Sequence, residues 1–359
     1  MSSPIEIAPA EIERVALAAL RRAGVPEAPA RQQVALLLEA ELRGYPSHGL
    51  LRLPRIVERI ANGVVDPESR GEAHWRGGAL LAVDGRRGLG PVVALAALDT
   101  ICERARETGL ALAAIRDCDH LGMLAWYAEE VARRGQVLIA LTISEALVHP
   151  FGGRRAMLGT NPVAIGVPAE PAPFVFDMAT SIVAMGKIHD HAVRGEPIPA
   201  GWALDAAGNP TTDAAAAKQG ALAPFGGAKG YGLALAFEVL VASLTACALG
   251  PEVRGTLDSE HPCNKGDVFI VVEPAAGMAQ AITGFLDAVR ASPPAESGRP
   301  VRVPGDRAAA ARAAALGRAI AVAPAVWRRL LVLAGEVRDV AGDAAQDLAR
   351  DEAGAGRAA

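Results

Sequence analysis

The chain has 359 residues, of which 51% are hydrophobic and 21% are charged, and its formal net charge is −4. This length provides for a large core and predicts two domains, or one large domain with a helical lobe. The charge balance argues against nucleic-acid binding, and no polybasic tract indicates a membrane surface. The first residues lack a long apolar core, so we expect no signal peptide. Four scattered cysteines without a CxxC pair predict reduced thiols in a cytoplasmic protein.

The N-terminal part is predicted to be helical. Apolar residues recur at i, i+3 and i+4 spacing over 10–22 and 28–43, and a glycine closes each segment. A third helix is predicted to start at His48, with Ser47 as its N-cap and Pro54 in its early turns, where proline costs least.

Strands and helices alternate through the rest of the chain, which predicts an α/β fold. A polar, proline-bearing segment at 195–220 is predicted to be an ordered surface excursion, and the loop 144–162 is long enough to suggest a functional role. The predicted strands are 80–85, 110–115, 137–143, 163–167, 174–176 and 266–273, and the predicted helices include 123–134, 233–249 and segments beyond 307.

Two glycine-rich segments are candidate phosphate sites. The first, at 88–91, lacks a third glycine and carries Pro91, which removes an N–H, so a structural turn is favoured there. The second, at 224–232, precedes the apolar run 233–249 and contains Lys229, so it predicts an anion site as readily as a flexible loop. The apolar run itself is long enough to span a bilayer. We expect a buried core helix instead, because Glu238 lies inside it.

A histidine and an arginine lie four residues apart at His48 and Arg52. On a helix, this spacing places both side chains on one face. Arginine can hold a carboxylate in a two-pronged contact, and histidine can move a proton near pH 7. The pair is therefore a candidate site for an anionic substrate with a nearby hydroxyl or carbonyl, although the same pair also occurs on exposed amphipathic helices.

A second histidine, His120, lies in a predicted strand-to-helix turn, where α/β enzymes often place catalytic groups. Asp117 or Asp119 could orient its ring, or could cap the following helix. His261 and Cys263 are too few to define a metal site, so no metal is assigned.

Taken together, these motifs resemble the malate/L-lactate/ureidoglycolate/sulfolactate dehydrogenase family. The resemblance extends over roughly residues 8–340 and is far more specific than any single motif. The motifs that carry it are Gly44-Tyr45-Pro46-Ser47-His48-Gly49 with Arg52, Asp119-His120-Leu121-Gly122, Leu158-Gly159-Thr160-Asn161-Pro162, Asp177-Met178-Ala179-Thr180-Ser181, Gly201-Trp202-Ala203-Leu204-Asp205, Pro210-Thr211-Thr212-Asp213 and Phe225-Gly226-Gly227-Ala228-Lys229-Gly230-Tyr231-Gly232.

The resemblance implies an α/β fold with a mixed sheet that binds NAD(P) outside the Rossmann scheme, and a helical domain built from both chain termini. The corresponding boundaries are 1–75 plus 307–345 for the helical domain, 76–306 for the cofactor- and substrate-binding region, and 346–359 for a frayed tail. The family typically forms homodimers in which the partner helps to close the active-site cleft.

The resemblance also assigns site residues. His120 and His48 are the candidate acid/base residues, unranked, Arg52 is the carboxylate clamp, and Ser47 and His48 belong to the substrate site. The residues expected to line the cofactor cleft are Ser144, Asn161, Asp177, Met178, Ala179, Lys229, Pro304, Gly305 and Asp306. The last of these stands where the family usually has glutamate.

The implied activity is reversible transfer of a hydride between NAD(H) or NADP(H) and a small anionic 2-hydroxy acid. The 255–267 region, the 144–150 loop with His149, and the 188–191 segment with His189 and His191 resemble the sulfolactate and archaeal malate branch, with bacterial (2R)-3-sulfolactate dehydrogenases the best match. Reduction of cyclic imino acids, and oxidation of ureidoglycolate or L-lactate, stay open as alternatives, as does the choice between NAD and NADP.

Overall fold

The computed structural model describes residues 3–338. The β-strands in this part of the chain are β1 (Ile5–Ile7), β2 (Glu72–Trp75), β3 (Leu80–Asp84), β4 (Leu110–Arg116), β5 (Val137–Thr142), β6 (Val163–Val167), β7 (Phe174–Met178), β8 (Ala203–Leu204), β9 (Pro210–Thr211), β10 (Ala221–Leu222), β11 (Gly266–Val272) and β12 (Ile320–Val322). The α-helices are α1 (Pro9–Arg22), α2 (Glu27–Leu42), α3 (Leu53–Ala61), α4 (Gly90–Thr108), α5 (Leu124–Arg133), α6 (Met185–Arg194), α7 (Ala214–Ala217), α8 (Ala228–Thr245), α9 (Met278–Arg290), α10 (Asp306–Ala315) and α11 (Pro324–Ala334).

A seven-stranded mixed sheet, in the order β2-β3-β4-β11-β5-β6-β7, forms the centre of the fold. Only β3 and β4 run parallel, and every other neighbouring pair is antiparallel. This order differs from the parallel, doubly wound sheet of Rossmann proteins. The predicted α/β fold with a mixed, non-Rossmann sheet is confirmed.

Helices cover both faces of this sheet. Successive residues of β11 point to opposite faces, as the pleat requires. Phe269 and Val271 pack in one apolar cluster with α4 and α5, while Val268 packs in another with Val241 of α8. The sheet is therefore buried on both sides, which fixes the positions of the loops at its ends.

The two ends of the described chain form one helical unit. Strands β1 and β12 pair antiparallel, with Ile5 opposite Val322. Helix α1 packs on α11, and Ile12, Leu20 and Trp327 belong to one buried cluster. The predicted packing of the segment beyond residue 307 on the N-terminal helices is confirmed. The boundaries 1–75, 76–306 and 307–345 stay predictions, and the predicted tail 346–359 lies outside the described residues.

The 195–220 excursion is ordered, as predicted, and contributes to a small three-stranded sheet in the order β10-β8-β9. Ile198 and Ala217 are buried there in a cluster that also contains Ile188 of α6. Helix α6, which follows the Asp177–Ser181 motif, begins at Met185 and ends at Arg194.

The prediction of a buried core helix at 233–249 was wrong. Helix α8 starts at Ala228, and only a stripe of residues at four- and three-residue intervals is buried. On the opposite side, Leu233, Leu235, Val239 and Leu240 are 37%, 38%, 55% and 42% exposed. By length and composition alone the helix could also cross a membrane. Its apolar residues lie on two sides of the helix. One side packs on the sheet, and the other is uncovered. The buried stripe is Gly230, Ala234, Glu238, Val241 and Thr245.

Candidate active site

A cavity of about 710 Å³ lies between the helical unit and the sheet. This volume is within the range of small-molecule and cofactor sites. It brings together all but two of the residues assigned to the site from the sequence. Those on its wall are Ser47, His48, Arg52, His120, Ser144, Asp177, Met178, Ala179, Pro304, Gly305 and Asp306.

Asn161 and Lys229 do not line this cavity. Asn161 is fully buried, and its amide nitrogen donates to Glu238 and to the carbonyl of Ala234. It therefore joins the 144–162 loop to α8. Lys229 is exposed in the first turn of α8, and the glycine-rich loop before it also lies off the cavity wall. The 88–91 turn, favoured as structural, does not contribute to the cavity either.

The segment carrying His48 and Arg52 is not the α-helix predicted from the sequence. It forms two 3₁₀ turns, Pro46–His48 and Leu50–Arg52, and α3 begins only at Leu53. Gly49 separates the turns with φ −98° and ψ −139°, and a Cβ at this position would overlap the carboxylate of Glu41. That carboxylate accepts the N–H of Leu50 (2.7 Å) and thereby fixes the break.

Ser47 makes no N-cap hydrogen bond, contrary to the prediction. Its Oγ lies 3.1 Å from Nδ1 of His48, and its carbonyl accepts from Nε of Arg52 (2.8 Å). Two 3₁₀ turns, rather than one face of a helix, therefore bring these side chains together. Within residues 3–338 the terminal nitrogens of Arg52 have no hydrogen-bond partner, so they can contact a ligand.

His120 lies in the loop between β4 and α5. The N–H of Gly122 donates to its Nδ1 (3.0 Å), so the neutral ring carries its proton on Nε2. Gly122 has φ 77°, and a Cβ there would overlap Leu36, so only glycine fits this turn. The backbone thus fixes both the orientation and the tautomer of His120.

The prediction that Asp117 or Asp119 orients His120 was wrong. Asp119 is buried with its Oδ1 3.2 Å from Nε of Arg59, and Asp117 lies at the surface beside Arg116. Burial, and then the positive charge of Arg52, holds the pKa of His120 well below its usual value.

The pKa of His48 is shifted in the same direction. Burial, with Arg52 as the second cause, lowers the pKa of His48 to about 4. Both histidines are therefore neutral at pH 7. His149, His189 and His191 do not line the cavity, and the Nδ1 atoms of His149 and His191 lie 2.8 and 2.9 Å from the carbonyls of Pro150 and Pro197.

Lys265 on the cavity wall was not assigned to the site from the sequence. Its side chain is 2% exposed, and its ammonium group pairs with both carboxylate oxygens of Asp267, which is fully buried. Burial alone would lower the pKa of Lys265, but Asp267 outweighs it and raises that pKa. The signal in the sequence is the i, i+2 spacing of opposite charges where β11 begins, which places both side chains on one face of the strand.

The cavity wall suits a dinucleotide. The N-terminal ends of α5, α6 and α10 contribute Ala125, Gly186 and Gly305 to the wall, and helix N-termini favour phosphate groups. Arg43 and Arg312 also line the cavity, held by the carboxylate of Glu39. Among residues 3–338, no group of three or more His, Cys, Asp and Glu side chains could hold a metal ion.

Asp177 holds one of these helix ends in place. Its Oδ2 accepts the N–H of Ala125 (2.8 Å) at the start of α5. Burial raises the pKa of Asp177 to about 6, and the hydrogen bond from Ala125 opposes this rise. The residue assigned to the cofactor cleft is therefore also part of the structure that shapes the cleft.

The fold is that of a known group of dehydrogenases. A solved dehydrogenase structure from Sinorhizobium meliloti superposes with a TM-score of 0.89 at 52% identity, covering 92% of this chain and 98% of that one. Residues 7–331 match the family model described as malate/L-lactate dehydrogenase. The chain belongs to this family, which confirms the resemblance stated from its motifs.

Relatives with assigned activities include hydroxy-acid dehydrogenases and reductases of cyclic imino acids. L-sulfolactate dehydrogenase of Methanocaldococcus jannaschii is 35% identical over 303 residues, covering 83% of this chain and 88% of that protein. (2R)-3-sulfolactate dehydrogenase (NADP(+)) of Chromohalobacter salexigens is 38% identical over 269 residues, 74% of this chain and 80% of that one. A Δ1-pyrroline-2-carboxylate/Δ1-piperideine-2-carboxylate reductase of Pseudomonas aeruginosa is 33% identical over 328 residues, 90% and 97% of the two chains.

Proposed function

We propose that this protein transfers a hydride reversibly between NAD(H) or NADP(H) and C2 of a small anionic 2-hydroxy acid of the sulfolactate or malate type, giving the 2-keto acid. The observation that carries the proposal is the convergence of Arg52, His48 and His120 on one wall of the 710 Å³ cavity. The sulfolactate dehydrogenases among the relatives support this substrate class.

Arg52 binds the C1 carboxylate. Its Nε is already bonded to the carbonyl of Ser47, so the guanidinium is held in one orientation while its terminal nitrogens face the ligand. A two-pronged contact from this fixed group sets which face of C2 is presented for reaction. Such positioning can supply a large part of an enzymatic rate enhancement.

The two histidines have different roles at the oxygen on C2. His120 is held neutral with its proton on Nε2, which suits donation of a hydrogen bond to the oxygen on C2. His48, whose Nδ1 contacts the Ser47 hydroxyl, carries the proton that leaves the substrate in oxidation and returns it in reduction. The bound nicotinamide supplies or accepts the hydride. This division ranks two residues that the sequence leaves equivalent.

A spectrophotometric assay at 340 nm tests the proposal. Sulfolactate, L-malate, L-lactate and ureidoglycolate are each tested with NAD and NADP, and the corresponding keto acids with NADH and NADPH. Turnover of sulfolactate or malate supports the proposal and identifies the preferred cofactor. Cofactor binding without turnover of any 2-hydroxy or 2-keto acid contradicts it.

Reduction of cyclic imino acids is the second candidate. A carboxylate next to C=N can use the same clamp as a carboxylate next to C=O, and the Pseudomonas aeruginosa reductase covers 90% of this chain. Pyrroline- and piperideine-2-carboxylate are therefore included with NADH and NADPH. Turnover of these imines alone would replace the proposed substrate class.

We also propose that the protein is a homodimer. The support is the uncovered apolar face of α8, where Leu235, Val239 and Leu240 are exposed. Isolated apolar residues are normal on a surface, but a row of them along one helix marks a contact surface. A second copy of the chain is the partner expected for this family.

A cytoplasmic location belongs to the same proposal. It is supported by four free cysteines, three of them buried, in a reduced state. Fractionation of cells that express the protein, followed by immunodetection, tests it. Recovery in the membrane fraction would contradict it.

A further inference from the structure

We propose that a second, smaller cavity next to the main one receives the distal acid group of the substrate. The inference rests on the proposed function and adds the location of the second anionic group. The smaller cavity has a volume of about 20 Å³. His48, Arg52, His120 and Thr256 line both cavities, so the two are neighbours across the proposed reacting groups.

Arg59 on the wall of the small cavity has an unsatisfied donor. The residue is 2% exposed, and its Nη1 donates to the carbonyls of Asp258 (2.7 Å) and His261 (3.1 Å). Its Nε lies 3.2 Å from Oδ1 of Asp119 in an ion pair without a hydrogen bond, and its Nη2 also has no hydrogen-bond partner within residues 3–338. Buried charged donors are rarely left unpaired in folded proteins. The free N–H therefore indicates a ligand atom or a water in this cavity.

The charges around the small cavity favour binding of a dianion. Arg52, Arg55 and Arg59 face a single carboxylate, that of Asp119. Arg55 forms no ion pair within the described part of the chain, and both histidines are neutral at pH 7. If Arg52 holds the C1 carboxylate, the remaining positive charge suits a second acid group. Lactate and the cyclic imino acids lack such a group.

The size of the cavity limits how this group is bound. A volume near 20 Å³ is about that of one water, so only terminal oxygen atoms of a carboxylate or sulfonate enter. The carbon chain stays in the main cavity beside Arg52. The substrate is therefore a short acid with its second anionic group on C3 or C4.

Thr256 provides a fixed wall for this subsite. The carboxylate of Glu145 accepts the N–H of Thr256 (2.7 Å), its hydroxyl (3.1 Å) and the N–H of Leu257 (2.8 Å). Arg59 binds the same 256–261 segment from the other side through its Nη1. The small cavity is therefore enclosed by a segment that is anchored at both of its ends.

Kinetics of Arg55→Gln and Arg59→Lys test the proposal. We expect kcat/KM for malate and sulfolactate to fall about 10- to 100-fold, the loss typical of one charge-assisted hydrogen bond. For L-lactate, which has the same C1 and C2 groups, the change should stay within about threefold. The matched control is Arg299→Gln at an arginine with a 77% exposed side chain. Equal losses on malate and lactate would overturn the proposal.

A binding measurement separates this proposal from the proposed function. Calorimetric titration of the wild-type protein, in the presence of NADPH or NADH, compares succinate with propanoate, neither of which can be oxidised at C2. Tighter binding of succinate that is lost in Arg55→Gln supports the subsite even if no hydroxy acid is turned over. Equal affinity for the two acids shows that the cavity holds water only and overturns the proposal. This readout also serves if Arg59→Lys does not fold.

Discussion

The imidazole rings of His48 and His120 lie with their centroids 5.8 Å apart and their planes inclined by 34°. They belong to separate segments, a pair of 3₁₀ turns and the loop that follows β4, and meet only because the helical unit packs on the end of the sheet. Burial and then Arg52 lower the pKa of both rings, and the charge of His48 lowers that of His120 further. Both rings are therefore neutral at pH 7, which suits hydrogen-bond donation by His120 and proton uptake by His48.

Substitution of His120 tests whether it donates a hydrogen bond to the substrate oxygen or transfers the proton itself. His120→Gln retains an amide N–H that can reach the substrate oxygen, whereas His120→Ala removes every donor. We expect kcat to fall about 10²- to 10⁴-fold in the alanine variant, and clearly less in the glutamine variant. Steady-state kinetics at pH 7 checks this, with circular dichroism to verify folding. Equal losses in both variants would indicate that the ring itself transfers the proton.

The pH dependence of oxidation reports on His48. A base must be unprotonated, and the pKa of His48 is lowered to about 4. We therefore expect kcat/KM for hydroxy-acid oxidation to be flat from pH 8 to about 5 and to fall only as the pH approaches 4. In His48→Gln this fall in kcat/KM near pH 4 should disappear together with most of the activity. A wild-type limb near pH 6.5, the value of an exposed histidine, would refute the assignment.

The clamp role of Arg52 predicts a strong effect of a conservative change. Arg52→Lys keeps the charge but loses the fork and the bond from Nε to the carbonyl of Ser47. We expect kcat/KM to fall about 10²-fold or more, since the acid would no longer be held in one orientation. Arg86→Lys, at a surface arginine paired with Glu72, is the control and should leave the kinetics unchanged.

Asp177 predicts a pH-dependent stability difference. Its folded pKa is raised from 3.8 to about 6, so between these values the folded state binds more protons than the unfolded state, and wild-type stability falls as pH rises through this window. Asp177→Asn still accepts the N–H of Ala125 without a buried charge. The free energy of unfolding of Asp177→Asn should exceed that of the wild type by an amount that grows from pH 4 to 6 and reaches on the order of 1–3 kcal/mol.

Urea unfolding at pH 4, 5, 6 and 7 measures this difference. Asp177→Ala, which loses the acceptor for Ala125, should be less stable than Asp177→Asn at every pH by about 1–2 kcal/mol. A difference between Asp177→Asn and the wild type that stays constant with pH would show that Asp177 has an ordinary pKa.

The exposed face of α8 predicts a variant that separates subunits. Val239 is 55% exposed in the middle of this face, and Val239→Asp would place a charge within the proposed interface. We expect the molar mass from light scattering to drop from dimer to monomer at micromolar concentration. Val193→Asp, at a 70% exposed valine on α6, is the control and should remain dimeric. A dimer that persists in Val239→Asp would place the interface elsewhere.

The sequence predicted the parts of the fold that local patterns encode. The alternation of strands and helices from residue 110 is correct, and β4, α5 and β5 agree with the predicted segments to within about one residue at each end. Their apolar periodicity is strong because each is buried on a sheet with both faces covered. The order of strands and the pairing of β1 with β12 depend on contacts between distant segments, which periodicity does not contain.

Most of the residues predicted for the site lie on one cavity, whereas the helix predicted to carry His48 and Arg52 does not form. Motif resemblance placed Arg52, His48 and His120 in one cleft, and the structure brings them together. The helix expected at His48 failed because Gly49 and the carboxylate of Glu41 break it, a contact between separate segments. The predicted orientation of the His120 ring by an aspartate failed because Asp119 faces Arg59 instead, a contact between distant segments that the local sequence does not reveal.

Pairing of β1 with β12 has a consequence for biosynthesis. During translation the N-terminal helices leave the ribosome long before α10 and α11, the elements that cover Leu20 and supply Gly305 and Asp306 to the cavity. An unfinished chain therefore exposes apolar helix surface and has an incomplete cofactor cleft. We therefore expect the proposed activity only once the last helices have docked, and we expect the nascent chain to be prone to aggregation until then.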